Sequence, residues 1–199
     1  MIDDLLRRRF KTPVDAIGHW LANRGVTALG VTIAGFAVGV AGCVAMAFEA
    51  YGLALVLLIA NRLADLFDGA VARATSVTDF GGFVDIIADL LIYSGFVLGF
   101  AIGRPEEALP AAILIYTFLG TGGSFLAAAN IAAKRDIQRE PPSRKSFFYN
   151  AALAEGVETT IYLILICLFP DYFAIMTYIF AAISWVSILG HLLWARQFR

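Results

Sequence analysis

The pattern of this chain predicts an all-α fold: an integral membrane bundle of six transmembrane helices, preceded by an amphipathic helix lying on the membrane surface. Three observations carry the prediction. Hydrophobic residues fill 60% of the 199 positions and charged ones only 16%, too little charge for a soluble domain of this length. The apolar residues gather in six long runs, each near the roughly 20 residues a helix needs to cross a hydrocarbon core. The lysines and arginines collect in a few segments between the runs and at the ends.

The N-terminal segment places Leu5, Leu6, Phe10, Val14, Ile17 and Leu21 at helical spacing among basic residues. Such a helix would rest on the inner leaflet, held by its apolar face and by anionic headgroups. The chain therefore divides into a juxtamembrane amphipathic helix over 1–22 and a membrane domain over 23–199. The predicted spans are Val26–Phe48, Leu53–Val71, Phe83–Ile102, Leu109–Ala133, Ala151–Phe169 and Tyr172–Ala195. Their connectors are short, and Pro105, Pro110, Pro141, Pro142 and Pro170 punctuate most of them.

Orientation follows from the basic residues. Arg7, Arg8, Arg9, Lys11 and Arg24 precede the first span; Lys134, Arg135, Arg139, Arg144 and Lys145 lie between the fourth and fifth; Arg196 and Arg199 end the chain. An even number of spans puts all of these on one side, which the positive-inside rule makes cytoplasmic. Both termini are then cytoplasmic, in a multi-pass protein of the inner membrane. The other side carries Arg104 beside Glu106, Glu107 and Asp171. The N-terminus has no cleavable signal pattern, since the first apolar run starts late and is long. Cys43 and Cys167 lack C-x-x-C spacing and sit in apolar segments, which argues against structural zinc and a disulfide framework. No nucleic-acid partner is expected.

Chemistry concentrates in two acidic clusters, Asp65-x-x-Asp68-Gly69-x-x-Ala72-Arg73 and Gly81-x-x-x-Asp85-x-x-x-Asp89. Both border apolar runs, where a carboxylate is costly unless it meets a cation, a proton or water. On a helix Asp65 and Asp68 share a face with Asn61 and Ala72, and Asp85 and Asp89 are neighbours one turn apart. A tight turn around Thr78–Gly82 would bring the pairs together. Carboxylates so close repel unless cations neutralise them. An all-oxygen set suits Mg²⁺, Mn²⁺ or Ca²⁺ rather than zinc. Gly69 and Ala72 clear room for a ligand, and Arg73 offers a fork for a phosphate. Spacing alone also allows a structural ion-pair network with Asn61, Arg62 and Arg73, or a cation-coupled transport path.

Together these residues resemble the signature of the CDP-alcohol phosphatidyltransferases: D-x-x-D-G-x-x-A-R, a spacer, then G-x-x-x-D-x-x-x-D. The spacer departs from that pattern, with seven residues between Arg73 and Gly81 where the signature has eight. Choosing Gly82 restores the length but puts Ile86 in place of an aspartate, so Gly81 is retained and the turn is one residue short. The segments Lys145–Asn150 and Ala154–Thr159 resemble a small bacterial branch of unassigned acceptor.

The resemblance implies a transferase of phospholipid biosynthesis. A phosphatidyl group passes from a CDP-linked lipid such as CDP-diacylglycerol to an alcohol, and CMP is released. It also implies a pair of divalent cations, Mg²⁺ or Mn²⁺. Asp65, Asp68 and Asp85 would be metal ligands, and Asp89 the general base with a supporting role at the metal. Asp65, Gly69, Ala72, Arg73 and Gly81 would border the CDP moiety. A homodimer is expected. Transfer of a CDP-alcohol headgroup to diacylglycerol is the alternative within this class, and a cation-coupled transporter using the same aspartates is the alternative from another.

Candidates for acceptor binding are Arg135, which directly follows the fourth span, then Lys134, Glu155 and Glu158. The same basic residues also suit anionic lipid, and the glutamates suit pairing with loop cations. Gly120-Thr-Gly-Gly-Ser lacks the lysine of a phosphate loop, so helix packing accounts for it better. His19 and His191 read as interfacial or structural.

Overall fold

A computed structural model describes residues 2–135 and 156–198. Among the described residues there are seven α-helices and no strand. They form two compact units, Met1–Pro105 and Glu106–Arg199.

The first unit contains α1 (Ile2–Ala22), α2 (Ala28–Ala47), α3 (Tyr51–Ala74) and α4 (Asp79–Gly103). Threonines set two of the helix starts. Thr27 accepts a hydrogen bond from the Gly30 amide at 3.1 Å, and Thr78 accepts one from the Gly81 amide at 3.1 Å. Each satisfies an amide that the first turn leaves without a helical partner. Helix α2 packs along both α3 and α4, and α1 packs along α3, whereas the backbones of α3 and α4 make little direct approach. The space between those two is filled by side chains, and it holds the acidic cluster. Small residues permit the close crossings. A Cβ on Gly18 of α1 would lie 2.7 Å from the backbone of Ala70, and one on Gly39 of α2 would lie 2.6 Å from Ile92. Leu58, Val71, Ile92, Phe96, Val97 and Phe100 are fully buried in this unit.

The second unit contains α5 (Ala108–Lys134), α6 (Gly156–Leu168) and α7 (Phe173–Ala195). Helices α5 and α7 pack along each other. Tyr162 stacks on Phe180 with ring centroids 4.7 Å apart, and its hydroxyl bonds Thr177 at 2.8 Å. His191 lies 2.9 Å from the Ser124 hydroxyl. His19 likewise bonds the Asp15 carbonyl at 2.8 Å. His191 therefore links α5 to α7, whereas His19 is exposed and bonds within α1.

The burial pattern is that of a protein whose solvent is apolar. Thr117, Thr177, Ser184 and Ser187 are buried, while Leu119, Ile175 and Leu189 are exposed. Among the described residues, four segments are long and apolar enough to cross a membrane: Ala28–Ala47, Asp79–Gly103, Pro105–Lys134 and Pro170–Ala195. Helix α3 carries Arg62, Asp65, Asp68 and Arg73 in its second half, and α6 is described over 13 residues. The remainder of the predicted fifth span, Ala151–Glu155, lies outside the described residues.

Candidate active site

Three helices of the first unit build the acidic cleft. Helix α3 supplies Asn61, Arg62, Asp65 and Asp68 from successive turns. Helix α4 supplies Asp85, Asp89 and Tyr93 at four-residue intervals. Helix α2 closes the cleft with Thr32, Gly35 and Phe36. The connector of residues 75–78 joins the end of α3 to the start of α4.

Asp65, Asp68 and Asp85 each present a carboxylate oxygen within 4.8 Å of the other two. Oxygens bound to one hard cation at about 2.1–2.5 Å lie no farther apart than about twice that distance. The spacing and the all-oxygen donor set therefore fit a single Mg²⁺, Mn²⁺ or Ca²⁺ ion. Asp68 is only 7% exposed, and the Thr32 hydroxyl, 2.7 Å away, donates to its Oδ2. That bond spans α2 and α3 and fixes the carboxylate in the cleft.

Asp89 stands outside this trio. Its Oδ1 accepts from Arg62 Nη2 at 2.7 Å, and its Oδ2 lies 3.3 Å from the Tyr93 hydroxyl. Arg62 is held from several directions. Asn61 donates to the Gly35 carbonyl at 2.9 Å, which turns its own Oδ1 toward Arg62 Nε (2.9 Å) and Nη2 (2.6 Å). Arg62 Nη1 donates to Tyr93 Oη at 2.8 Å and lies 3.9 Å from Asp65 Oδ2. The ion-pair network and the metal-competent cluster, alternatives at the level of spacing, thus coexist. Arg62 takes Asp89, and the other three carboxylates converge.

Arg73 lies apart from that network. Its Nε and Nη2 donate to Asp15 Oδ1 of α1 at 3.1 and 2.8 Å. Its Nη1 lies over Gly69, where a Cβ would approach it to 3.3 Å. Ala72 is half-buried beside it. Gly81 serves the helix cap: a Cβ there would stand 2.9 Å from the Thr78 hydroxyl that its amide engages. Lys134 and Arg135 close α5 and are exposed, and Glu158 is in the first turn of α6; these belong to the second unit. Glu155 lies outside the described residues.

Sequence reasoning missed Asp15, Thr32 and Tyr93. Tyr93 continues the four-residue rhythm of Asp85 and Asp89 and was open to discovery on that ground. Asp15 and Thr32 come from helices distant in sequence, and no local spacing marks them.

Known proteins resemble this chain throughout. The family model for CDP-alcohol phosphatidyltransferases matches residues 26–193. The inner membrane protein YnjF of Escherichia coli K12 is 42% identical over 188 residues, 94% of this chain and 91% of its own. The archaetidylinositol phosphate synthase of Pyrococcus horikoshii is 35% identical over 99 residues, 49% of this chain and 53% of its own. The crystal structure of Mycobacterium tuberculosis phosphatidylinositol phosphate synthase (PgsA1) with CDP-DAG bound has the same fold, with a TM-score of 0.69 at 18% identity over 90% of this chain and 91% of that one. With every motif residue of the acidic signature present inside the matched region, the chain belongs to the CDP-alcohol phosphatidyltransferase family and is a membrane transferase of phospholipid biosynthesis.

Proposed function

We propose that this enzyme moves a phosphatidyl group from a CDP-linked lipid such as CDP-diacylglycerol to an alcohol, releasing CMP. The observation that carries the reading is the convergence of Asp65, Asp68 and Asp85 beside a separately held Asp89. Asp65, Asp68 and Asp85 would hold Mg²⁺ or Mn²⁺, two divalent ions in the complete site. When bound, the ions neutralise charge on the pyrophosphate.

The chain's own residues account for the rest. Arg73 offers Nη1 to a donor phosphate across the surface that Gly69 and Ala72 leave clear, with Asp65 and Gly81 bordering the CDP moiety. Asp89 accepts the proton of the acceptor hydroxyl as a general base; any contact with metal is secondary to that role. The acceptor oxygen forms a bond to the β-phosphorus, the bond to the CMP oxygen breaks, and CMP leaves with the electron pair. Family membership sets aside the transporter reading, which rested on the aspartates alone.

The membrane arrangement is part of the proposal. Six spans and an N-terminal interfacial helix over 1–22 would place the cleft at the cytoplasmic face of the inner membrane, where lipid and nucleotide meet. The membrane domain over 23–199 would act as a homodimer. Arg135, Lys134, Glu155 and Glu158 would contact the acceptor. A phosphorylated polyol is the first acceptor to test, because two of the similar proteins are named as synthases of inositol phosphate lipids.

The test is CMP release from CDP-diacylglycerol by the purified protein with Mg²⁺ or Mn²⁺ across a panel of alcohols and polyol phosphates. Loss of release in Asp68→Ala and Asp89→Asn is expected. Full activity in both variants would sink the assignment of the site. Release only when CDP-alcohols and diacylglycerol are supplied would replace it with headgroup transfer.

A further inference from the structure

We infer that Asp15 is a positioning residue: the N-terminal helix lends a carboxylate that grips one edge of the Arg73 guanidinium and so presents Nη1 to a donor phosphate. The inference rests on the proposed role of Arg73 at the CDP moiety. It gives α1 a part in substrate binding beyond resting on the membrane, through a residue that lies 50 positions before the signature motif begins at Asp65.

Two contacts set the register of α1 on α3. Gly18 meets Ala70, where a Cβ would lie 2.7 Å from the backbone. Asp15 meets Arg73, whose Nε and Nη2 donate to Oδ1 at 3.1 and 2.8 Å. Asp15 and Gly18 are three residues apart, as are Ala70 and Arg73, so each pair occupies neighbouring sites on its helix. The two helices run in opposite directions along this contact. Val14, one turn before Gly18, is buried. The Gly18 crossing admits nothing bulkier, so it fixes where Asp15 stands relative to Arg73.

A guanidinium is planar and offers its donors in a fixed fork. Asp15 takes the edge formed by Nε and Nη2, and Nη1 projects over Gly69, the residue that leaves that surface clear. An arginine near a helix end otherwise samples many rotamers, and ordering them on binding weakens affinity. A carboxylate already in place leaves less to order. The two side chains are 27% and 49% exposed, so the pair contributes little to stability and its effect belongs to binding. Charge acts in the opposite sense. A carboxylate near a diphosphate repels it, so removing Asp15 would tighten binding if charge were its whole effect. Positioning and charge are therefore separable by sign.

Calorimetric titration of CDP, with Mg²⁺ present, into the full-length protein in lipid nanodiscs reads the effect without turnover. Asp15→Ala is expected to weaken CDP binding at least about threefold while the melting temperature moves by less than about 4 °C. In turnover its KM for the CDP-lipid should rise at least about threefold with kcat within about threefold. Asp15→Asn keeps an oxygen acceptor for Nε and Nη2 and is expected within about threefold of wild-type affinity. In an Arg73→Ala background, adding Asp15→Ala should change CDP affinity by less than about threefold, because the side chain it positions is gone. Asp15→Ser, too short to reach Arg73, gives the same reading should Asp15→Ala fail to fold. Affinity in Asp15→Ala that is tighter than wild type, or weaker by less than about threefold, overturns the inference. So does a loss of about threefold or more that persists without Arg73, which would make Asp15 a support of the helix alone. A wild type that neither binds CDP nor releases CMP from any donor strikes the proposed function, and this inference with it. A wild type that binds CDP no better than Asp15→Ala strikes the inference alone.

Discussion

Thr32→Val isolates one hydrogen bond at the centre of the cleft. The substitution keeps the branched shape and removes the hydroxyl that donates to Asp68 Oδ2 over 2.7 Å. Both residues are nearly buried, Thr32 at 9% and Asp68 at 7% exposed, so water does not readily replace the lost donor. A hydrogen bond to a charged group contributes about 1.5–3 kcal/mol. For a chain of this size each kcal/mol moves the melting temperature by about 2–4 °C. The expected fall is thus about 3–12 °C, read by thermal unfolding of the metal-free protein in lipid nanodiscs. Mn²⁺ binding should weaken less, because the bond exists with and without the ion and only the ordering of the Asp68 rotamer is lost. Ordering one side chain costs about 0.5–1.5 kcal/mol, so the dissociation constant should rise about two- to twelvefold. Thr32→Ser should restore both quantities. Wild-type melting and Mn²⁺ affinity in Thr32→Val would refute the reasoning, since Asp68 would then need no support from α2.

Three further outcomes follow from the same geometry. Asp89→Asn should lower kcat by about 10²–10⁴ while leaving the KM for CDP-lipid nearly unchanged, as loss of a general base requires; steady-state CMP release measures both. Gly81→Ala should crowd the Thr78 cap, where the new Cβ would meet the hydroxyl at 2.9 Å, and cost about 1 kcal/mol in thermal unfolding. Asp15→Ala breaks an ion pair whose side chains are 27% and 49% exposed. Stability should change by less than about 1 kcal/mol, with a difference from wild type that shrinks in high salt.

The sequence revealed the helices more readily than their relation to the membrane. Long apolar runs bounded by proline and glycine located α2, α4, α5 and α7 within a few residues, because a spanning helix must satisfy its backbone internally and advertises its length. Helix α3 is different. Its first half is apolar, but Arg62, Asp65, Asp68 and Arg73 occupy the rest, so hydropathy alone understates it. Those charges are tolerated because Arg62, Asp65 and Asp68 line a polar cleft and Arg73 pairs with Asp15. The division of the described chain near Pro105 left no mark in composition, since both units are equally apolar.

The acidic site was legible for a reason that also explains what was not. A carboxylate that must reach a cation is confined to one helical face, so its spacing survives in the linear sequence as Asp65-x-x-Asp68 and Asp85-x-x-x-Asp89. A residue that supports such a carboxylate needs only to be nearby, and any helix can supply it. Thr32 reaches Asp68 across 36 positions, and Asp15 reaches Arg73 across 58. Arg62 falls between these cases. It is one turn from Asp65, whose Oδ2 lies 3.9 Å from it, yet its closer partner Asp89 is 27 positions away, and no local spacing marks that pair. The one-residue-short turn bears on this directly. Thr78 caps α4 through the Gly81 amide, and that cap sets where α4 begins and how Asp85 and Asp89 face α3. Gly81 thus fills two roles in the shortened spacer: it stands four residues before Asp85, as the motif requires, and its amide engages the Thr78 cap.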